Sequence, residues 1–271
     1  MRRRILYAVG VFLFFAILAG VPVAYYFLSV PATCTDNTLN QNETSPDRGG
    51  PCPLADTNTL SPSSVLWTRA FKIRDGSFSA VAYVENPNER AGMGLRPFKL
   101  SLYDAQNILV AERTGFAYVM PGGITPIYAA DIDTGNRNAT HAYFEFTYPP
   151  TWLQLSDTAK AITVNNEDLS DQASAPRLEA TATNTDVSGR SDVSFIAVVF
   201  DTAGNAFAAS ATHVDKMNPG ESQKIVFTWP SSFPLQVGRV DVIPVSQPKK
   251  AWTAPCQVLN TTQTNEIVCK N

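Results

Sequence analysis

Two histidines, His141 and His213, are the only imidazoles in the 271-residue chain. A Ser-His-Asp relay would have to use one of them, and a metal centre built on two or three His ligands would need both. They fall on segments that read as strands, at positions that do not correspond between two copies of an internal repeat. His213 lies two residues before Asp215 and reads as a strand-end surface residue; His141 follows Asn138-Ala139-Thr140 and reads as the residue leaving a turn. Nucleophile-elbow, P-loop, dinucleotide-binding and H-E-x-x-H motifs are all missing from the sequence. Asp131 and Asp133 share a strand face and could be weighed as a hydrolytic carboxylate pair, but such a pair usually marks a solvated strand end. Asp104 and Asp201 recur at matching hairpins, which points to structural Asx turns. The expectation is a chain that is not an enzyme and uses no cofactor.

Binding chemistry has more candidates. Asp36, Asn40, Glu43 and Asp47, with Asn37 and Asn42, crowd hard oxygen ligands of the kind calcium takes. Their spacing is not that of an EF-hand loop, and an Asx-rich turn region is the competing reading. Tyr148, Trp152, Trp229 and Trp252 could stack on a ligand; packing in a core or between domains competes with that. The four cysteines lie in two polar loops. Separation along the chain favours Cys34–Cys52 and Cys256–Cys269 among the three possible pairings. Intervals of this length do not suit the paired Cys ligands of zinc modules, and disulfides imply an oxidising compartment.

The elements that must carry these residues begin with a membrane segment. Met1-Arg2-Arg3-Arg4 is followed by a run from Ile5 to Val30 without a charge. As a helix it would span roughly 39 Å, more than the hydrocarbon core of a bilayer. Tyr25 and Tyr26 suit the interface, Pro22 predicts a kink, and the arginines set the N-terminus inside. A cleaved signal peptide and a lipoprotein signal ending at Cys34 are the alternatives. The run is longer than a signal h-region, and Val30-Pro31-Ala32-Thr33 is a poor processing site. The net charge of −3, with scattered Lys and Arg, argues against nucleic acid. N-x-[ST] sequons at Asn42, Asn138 and Asn260 read as chance.

An internal duplication with an offset of about 97–98 residues dominates the rest. FKLSLYDAQNILVAERTGFAYVMPGG from Phe98 parallels FIAVVFDTAGNAFAASATHVDKMNPGE from Phe195. Tyr103-Asp104 aligns with Phe200-Asp201, Pro121-Gly122 with Pro219-Gly220, and Asn86 with Asn184. Phe98, Leu100 and Leu102, and then Val193, Phe195 and Ala197, alternate as half-buried antiparallel strands do. Asp104–Asn107 and Asp201–Asn205 read as hairpin turns. Six strands are predicted per copy, from Trp67 to Thr147 and from Ala161 to Val245. The fold class is all-β, two tandem immunoglobulin-like β-sandwiches plus one N-terminal transmembrane helix. The boundaries are 1–30 for the Arg cluster and anchor, 31–63 for a Cys loop and polar stalk, 64–155 and 156–247 for the sandwiches, and 248–271 for a disulfide-looped tail.

Two resemblances bear on these readings. Thr33–Pro53 resembles a Cys-rich motif found beside membrane anchors in bacterial surface proteins, roughly C-T-D-G-x-x-N-G-x-E-T-x-x-D-C-G-G-x-C. Cys34, Thr35, Asp36, Asn40, Glu43, Thr44, Asp47, Gly49, Gly50 and Cys52 match it. Asn37, Gln41 and Arg48 stand where it has two glycines and a cysteine. That lost cysteine leaves an even pair, and the motif implies a bacterial-type envelope protein. Phe98, Leu102, Tyr103 and Asp104 resemble the FxLYD type of immunoglobulin-like domain, with two extra residues between Phe and Leu. The second copy keeps Phe200-Asp201 and the turn pattern. The resemblance implies extracytoplasmic binding or spacer modules, at the cell membrane, with a protein partner in the envelope.

Overall fold

The computed structural model describes the backbone of residues 2–29, 34–155, 161–247, 256–260 and 265–269. One helix, α1, runs unbroken from Arg2 to Ser29 with Pro22 inside it. All of its described side chains are exposed. Among the described residues no helix is long and apolar enough to cross a membrane.

The first half contains β1 (Ser64–Arg74), β2 (Ser77–Asn86), β3 (Ala91–Tyr103), β4 (Leu109–Val119), β5 (Gly123–Asp133), β6 (His141–Phe146) and the short β7 (Trp152–Gln154). They form two antiparallel sheets, ordered β1-β2-β5 and β4-β3-β6, with β7 paired to the start of β3. The sheets pack face to face. Ala80, Ala82 and Val84 of β2 meet Phe98, Leu100 and Leu102 of β3 and Phe144 of β6 in one buried cluster. Period-two alternation on both sheets makes this possible, because every second side chain points to the shared interior.

The second half repeats that plan. Its strands are β8 (Ile162–Ser170), β9 (Arg177–Asn184), β10 (Arg190–Asp201), β11 (Ala206–Met217), β12 (Ser222–Thr228) and β13 (Val237–Val245). The sheets are β12-β9-β8 and β11-β10-β13, the same order as in the first half strand for strand. Leu178, Ala180, Val193, Phe195, Ala197, Val199, Ile225 and Phe227 fill its interior. A last pair, β14 (Cys256–Asn260) and β15 (Asn265–Cys269), forms a separate antiparallel hairpin.

A third buried cluster joins the halves. Phe71, Val81 and Tyr83 on the outer face of β1-β2-β5 pack against Ile196, Val198 and Phe200 on the outer face of β11-β10-β13. The molecule is therefore a stack of four sheets whose middle two are covered on both sides. Trp67 stacks on Tyr83 with ring centroids 4.1 Å apart, and Phe200 meets both rings edge-on. The Arg239 guanidinium lies 3.8 Å from the Phe200 ring centre, a cation–π contact. Polar bonds rim the cluster. The Tyr83 hydroxyl donates to Asp241 at 3.3 Å, and Arg69 donates to the Ala206 carbonyl and to the Asn205 side chain.

The Cys34–Cys52 disulfide is formed. Residues 34–63 are not a free stalk along their length. Leu54 bridges to Leu153, the Gln154 amide donates to the Pro53 carbonyl, and the Ala55 amide donates to the Trp152 carbonyl. The Cys loop thus extends the first half by pairing with β7. β14 and β15 set Cys256 opposite Cys269; their side chains lie outside the described residues.

Candidate functional site

A groove of about 520 Å³ lies between the halves. One wall is made by β4 and β5, with Phe116, Tyr118 and Tyr128; the other by Asp192, Ser194 and Ile196 of β10 and the chain leaving β13 at Val245–Gln247. Among the described residues β4 pairs only with β3, and β5 only with β2. Two strands with an unpaired edge therefore run along one groove. Phe116 is 58 % exposed there. The Tyr118 hydroxyl is pushed above the ordinary phenol range by burial and, secondarily, by the charge of Asp192. The third buried cluster fixes the two walls relative to each other.

His213 contacts two of the residues that line this groove, Asp192 and Ser194. It lies directly opposite Ser194 across β10 and β11. Its Nε2 is 3.3 Å from Asp192 and 3.4 Å from Asp215, and its Nδ1 is 3.5 Å from Ser194 Oγ. A serine, a histidine and an acid do meet here, but the Ser–His separation is long for activating a nucleophile. The acids are also almost fully exposed, at 86 % and 99 % of their side chains. His141 is elsewhere, stacked on Tyr103 and bonded to Thr140 and Asn107. Asp133 accepts from the Gly135 amide in a turn.

The four acidic and amide residues predicted for calcium do come together; the carboxylate oxygens of Asp36, Glu43 and Asp47 accept from their own loop, whereas the Asn40 Oδ1 is buried with no hydrogen-bond partner among the described residues. Asp47 accepts from the amides of Asp36 and Asn37, each at 2.9 Å. Asp36 accepts from the Thr38 amide and the Asn40 side chain. Glu43 is buried and accepts from the Asp47 and Asn40 amides. Cys34, Glu43 and Cys52 lie close enough for a shared ion, but the two sulfurs are bonded to each other and offer no thiolate. Asn37 and Gln41, which replace motif glycines, have φ of 55° and 48°. The left-handed backbone explains why glycine suits those positions.

Of the predicted aromatics, Trp152 and Trp229 are core residues, each 8 % exposed. Tyr148 is exposed, at 43 %, and lies away from the groove residues. Trp252 and the Cys256–Cys269 bond lie outside the described residues. Asp104 and Asp201 are Asx turns as read. Each accepts two backbone amides of its hairpin, from Gln106 and Ile108 and from Ala203 and Asn205. Those bonds, from Ile108 and from Asn205 above all, hold both carboxyls below their ordinary range.

The duplicated asparagines form a second repeated device. Asn86 and Asn184 are fully buried. The Asn86 amide donates to the carbonyls of Ala91 and Met120, and the Asn184 amide to those of Ser188, Met217 and Asn218. Each ties the loop after its strand to the turn carrying Pro-Gly. Their shared position in the repeat was the signal for this role. The joint between the halves carried a weaker signal, the apolar runs from Ala80 to Val84 in β2 and from Phe195 to Phe200 in β10.

Neither a family model nor a curated protein matches the chain. Among solved structures, red sea bream transglutaminase aligns over 69% of this chain and 31% of its own, at 12% identity and a TM-score of 0.21. A beta-glucuronidase of Bacteroides uniformis aligns over 65% of this chain and 22% of its own, at 10% identity and a TM-score of 0.19. The chain spans about a third or less of the length of these two proteins. The likeness is distant and carries no argument about a site.

Proposed function

We propose that the chain is a non-enzymatic, membrane-anchored recognition module of the cell envelope. Its two halves are immunoglobulin-like sandwiches of FxLYD-like type, outside the cytoplasm, and they hold an extended segment of a protein partner in the groove between them. The observation that carries the reading is the convergence of two unpaired strand edges and an exposed Phe116 on one groove. Unpaired edges offer backbone donors and acceptors for an added strand, and a neighbouring aromatic supplies an apolar anchor.

The anchor is supported by the continuous helix from Arg2 to Ser29 and the uncharged run after Arg4. A helix whose described side chains are apolar and all exposed is suited to an apolar solvent. From Ser29 to Cys34 the chain can reach roughly 17 Å. The docked Cys loop therefore keeps the first half at the bilayer surface, and reach is set by the stacked sheets. The disulfide supports an oxidising compartment. A photo-crosslinking amino acid at position 116 of the full-length protein, in its own membranes, tests the reading. A discrete protein adduct, absent when the probe is moved to exposed Tyr148, supports it; equal labelling at both positions refutes it. The groove volume also falls within the usual range for small-ligand pockets. That favours a glycan or small ligand as the second reading, with a soluble-ligand screen as its test.

A further inference from the structure

We propose that the Cys34–Cys52 bond is a thiol-exchange site, at which a small monothiol is captured on Cys34 while Glu43 handles the proton of Cys52. None of these residues lines the groove, and the chemistry does not depend on the anchor. The two sulfurs differ in access. Cys52 is 1 % exposed, whereas Cys34 is only partly buried. The Cys52 backbone is also held, its amide donating to the Gly49 carbonyl at 2.9 Å and its carbonyl accepting from the Gln154 side chain at 2.8 Å. Glu43 is 9 % exposed beside them. Its Oε2 accepts from the Asn40 and Asp47 amides, and its Oε1 lies 2.9 Å from Cys52 Sγ. A disulfide sulfur carries no proton, so among the described residues Oε1 has no donor. A buried carboxylate oxygen without a donor is costly. The donor that Oε1 lacks is the S–H that opening the bond creates at Cys52.

The exchange follows from that arrangement. A thiolate attacks Cys34 Sγ, the accessible sulfur, along the S–S axis. A new S–S bond joins the thiol to Cys34, and the Cys34–Cys52 bond breaks with its electron pair leaving on Cys52 Sγ. The leaving sulfur takes the proton of a protonated Glu43 Oε1. The products are a mixed disulfide on Cys34, a Cys52 thiol and a Glu43 carboxylate. One negative charge enters on the thiolate and remains on the carboxylate. Cys52 is reduced as the incoming thiol is oxidised, so no further redox partner takes part. Resealing is the reverse. The carboxylate takes the Cys52 proton, and the thiolate so formed expels the small thiol from Cys34. A base matters there because the thiolate, not the thiol, is the nucleophile. Gln154 of β7 keeps Cys52 in place, so the resealing sulfur stays within reach of Cys34.

The test uses the full-length protein in detergent micelles, with reduced glutathione as the small thiol. After incubation, free thiols are blocked with N-ethylmaleimide and both labels are located by peptide mass spectrometry. The expected result is glutathione on Cys34 and N-ethylmaleimide on Cys52, with circular dichroism showing a folded chain. Resealing is then timed as release of glutathione from the isolated, unblocked adduct. Glu43→Gln should slow it by about tenfold or more without moving the adduct from Cys34. Asp47 accepts from the Asp36 and Asn37 amides, so Asp47→Asn loosens the same loop and should slow resealing far less. An adduct that forms only once denaturant unfolds the chain overturns the proposal. So does an adduct shared equally between Cys34 and Cys52, or equal slowing by the two variants.

Discussion

The two halves share one strand order but turn different sheets toward each other. In the first, the sheet built on β2 is covered on both faces; in the second, it is the sheet built on β10. Inner faces match across the repeat. Phe98, Leu100 and Leu102 correspond to Phe195, Ala197 and Val199, all buried. Outer faces diverge. Lys99 in the first half pairs with Glu112 and Glu145, and its counterpart in the second is buried Ile196. Tyr83, in the joint between halves, corresponds to Thr181, which is partly exposed on β9. The halves thus share their interiors, and the differences on their outer faces decide which sheets dock.

The sharpest way to break that comparison is to exchange the outer residues. Ile196→Lys places an ammonium in the third cluster and should cost about 3 kcal/mol or more, or uncouple the halves. The reciprocal Lys99→Ile removes only a solvent-screened ion-pair member and should cost far less than Ile196→Lys. Small-angle scattering and limited proteolysis will separate uncoupled halves from an unfolded chain. Equal losses from the two changes would mean that the outer faces do not differ as described.

A second pair of substitutions sharpens the part that the halves share. Asn86→Ala and Asn184→Ala each strand two or more buried carbonyls. Each should lower stability by about 2–3 kcal/mol, by similar amounts if the device is the same in both. Denaturant unfolding of the single and double variants will measure this. A large loss at one site alone would break the equivalence.

The smallest effect concerns acid. The Asp104 and Asp201 carboxyls are held low in the folded state by hairpin amides, chiefly those of Ile108 and Asn205. Their stabilisation is therefore complete above the unfolded carboxylate value, about 3.9, and is lost as pH falls through the lower folded values. Thermal melts between neutral pH and about pH 2 should show a shallower acid loss in the Asp104→Asn, Asp201→Asn double variant than in the wild type. An unchanged slope would mean that these turns do not govern acid stability.

Much of this was legible in the chain. The twelve long strands of the repeat follow from alternation and from turn residues, because a strand's side chains face two ways and a hairpin needs its Asx or Gly. The short β7 was not legible: three residues after Pro149-Pro150 carry no period, and β7 exists only because β3 and the Cys loop pair with it. The clustering of Asp36, Asn40, Glu43 and Asp47 follows from their closeness in sequence. Composition alone does not tell whether such oxygens face an ion or their own amides.

By itself, the sequence determined the repeat, the inner faces, the Asx turns, the uncharged N-terminal run and the nearness of Cys34 to Cys52. These are local or periodic properties, set by residue type and spacing. Tertiary structure alone decided that the two middle sheets face each other, that Trp152 and Trp229 are interior, and that β4 and β5 border a groove. It also decided that His213 meets acids from two strands. Each of those depends on which surfaces meet, and surfaces distant in sequence meet only when the whole stack is closed.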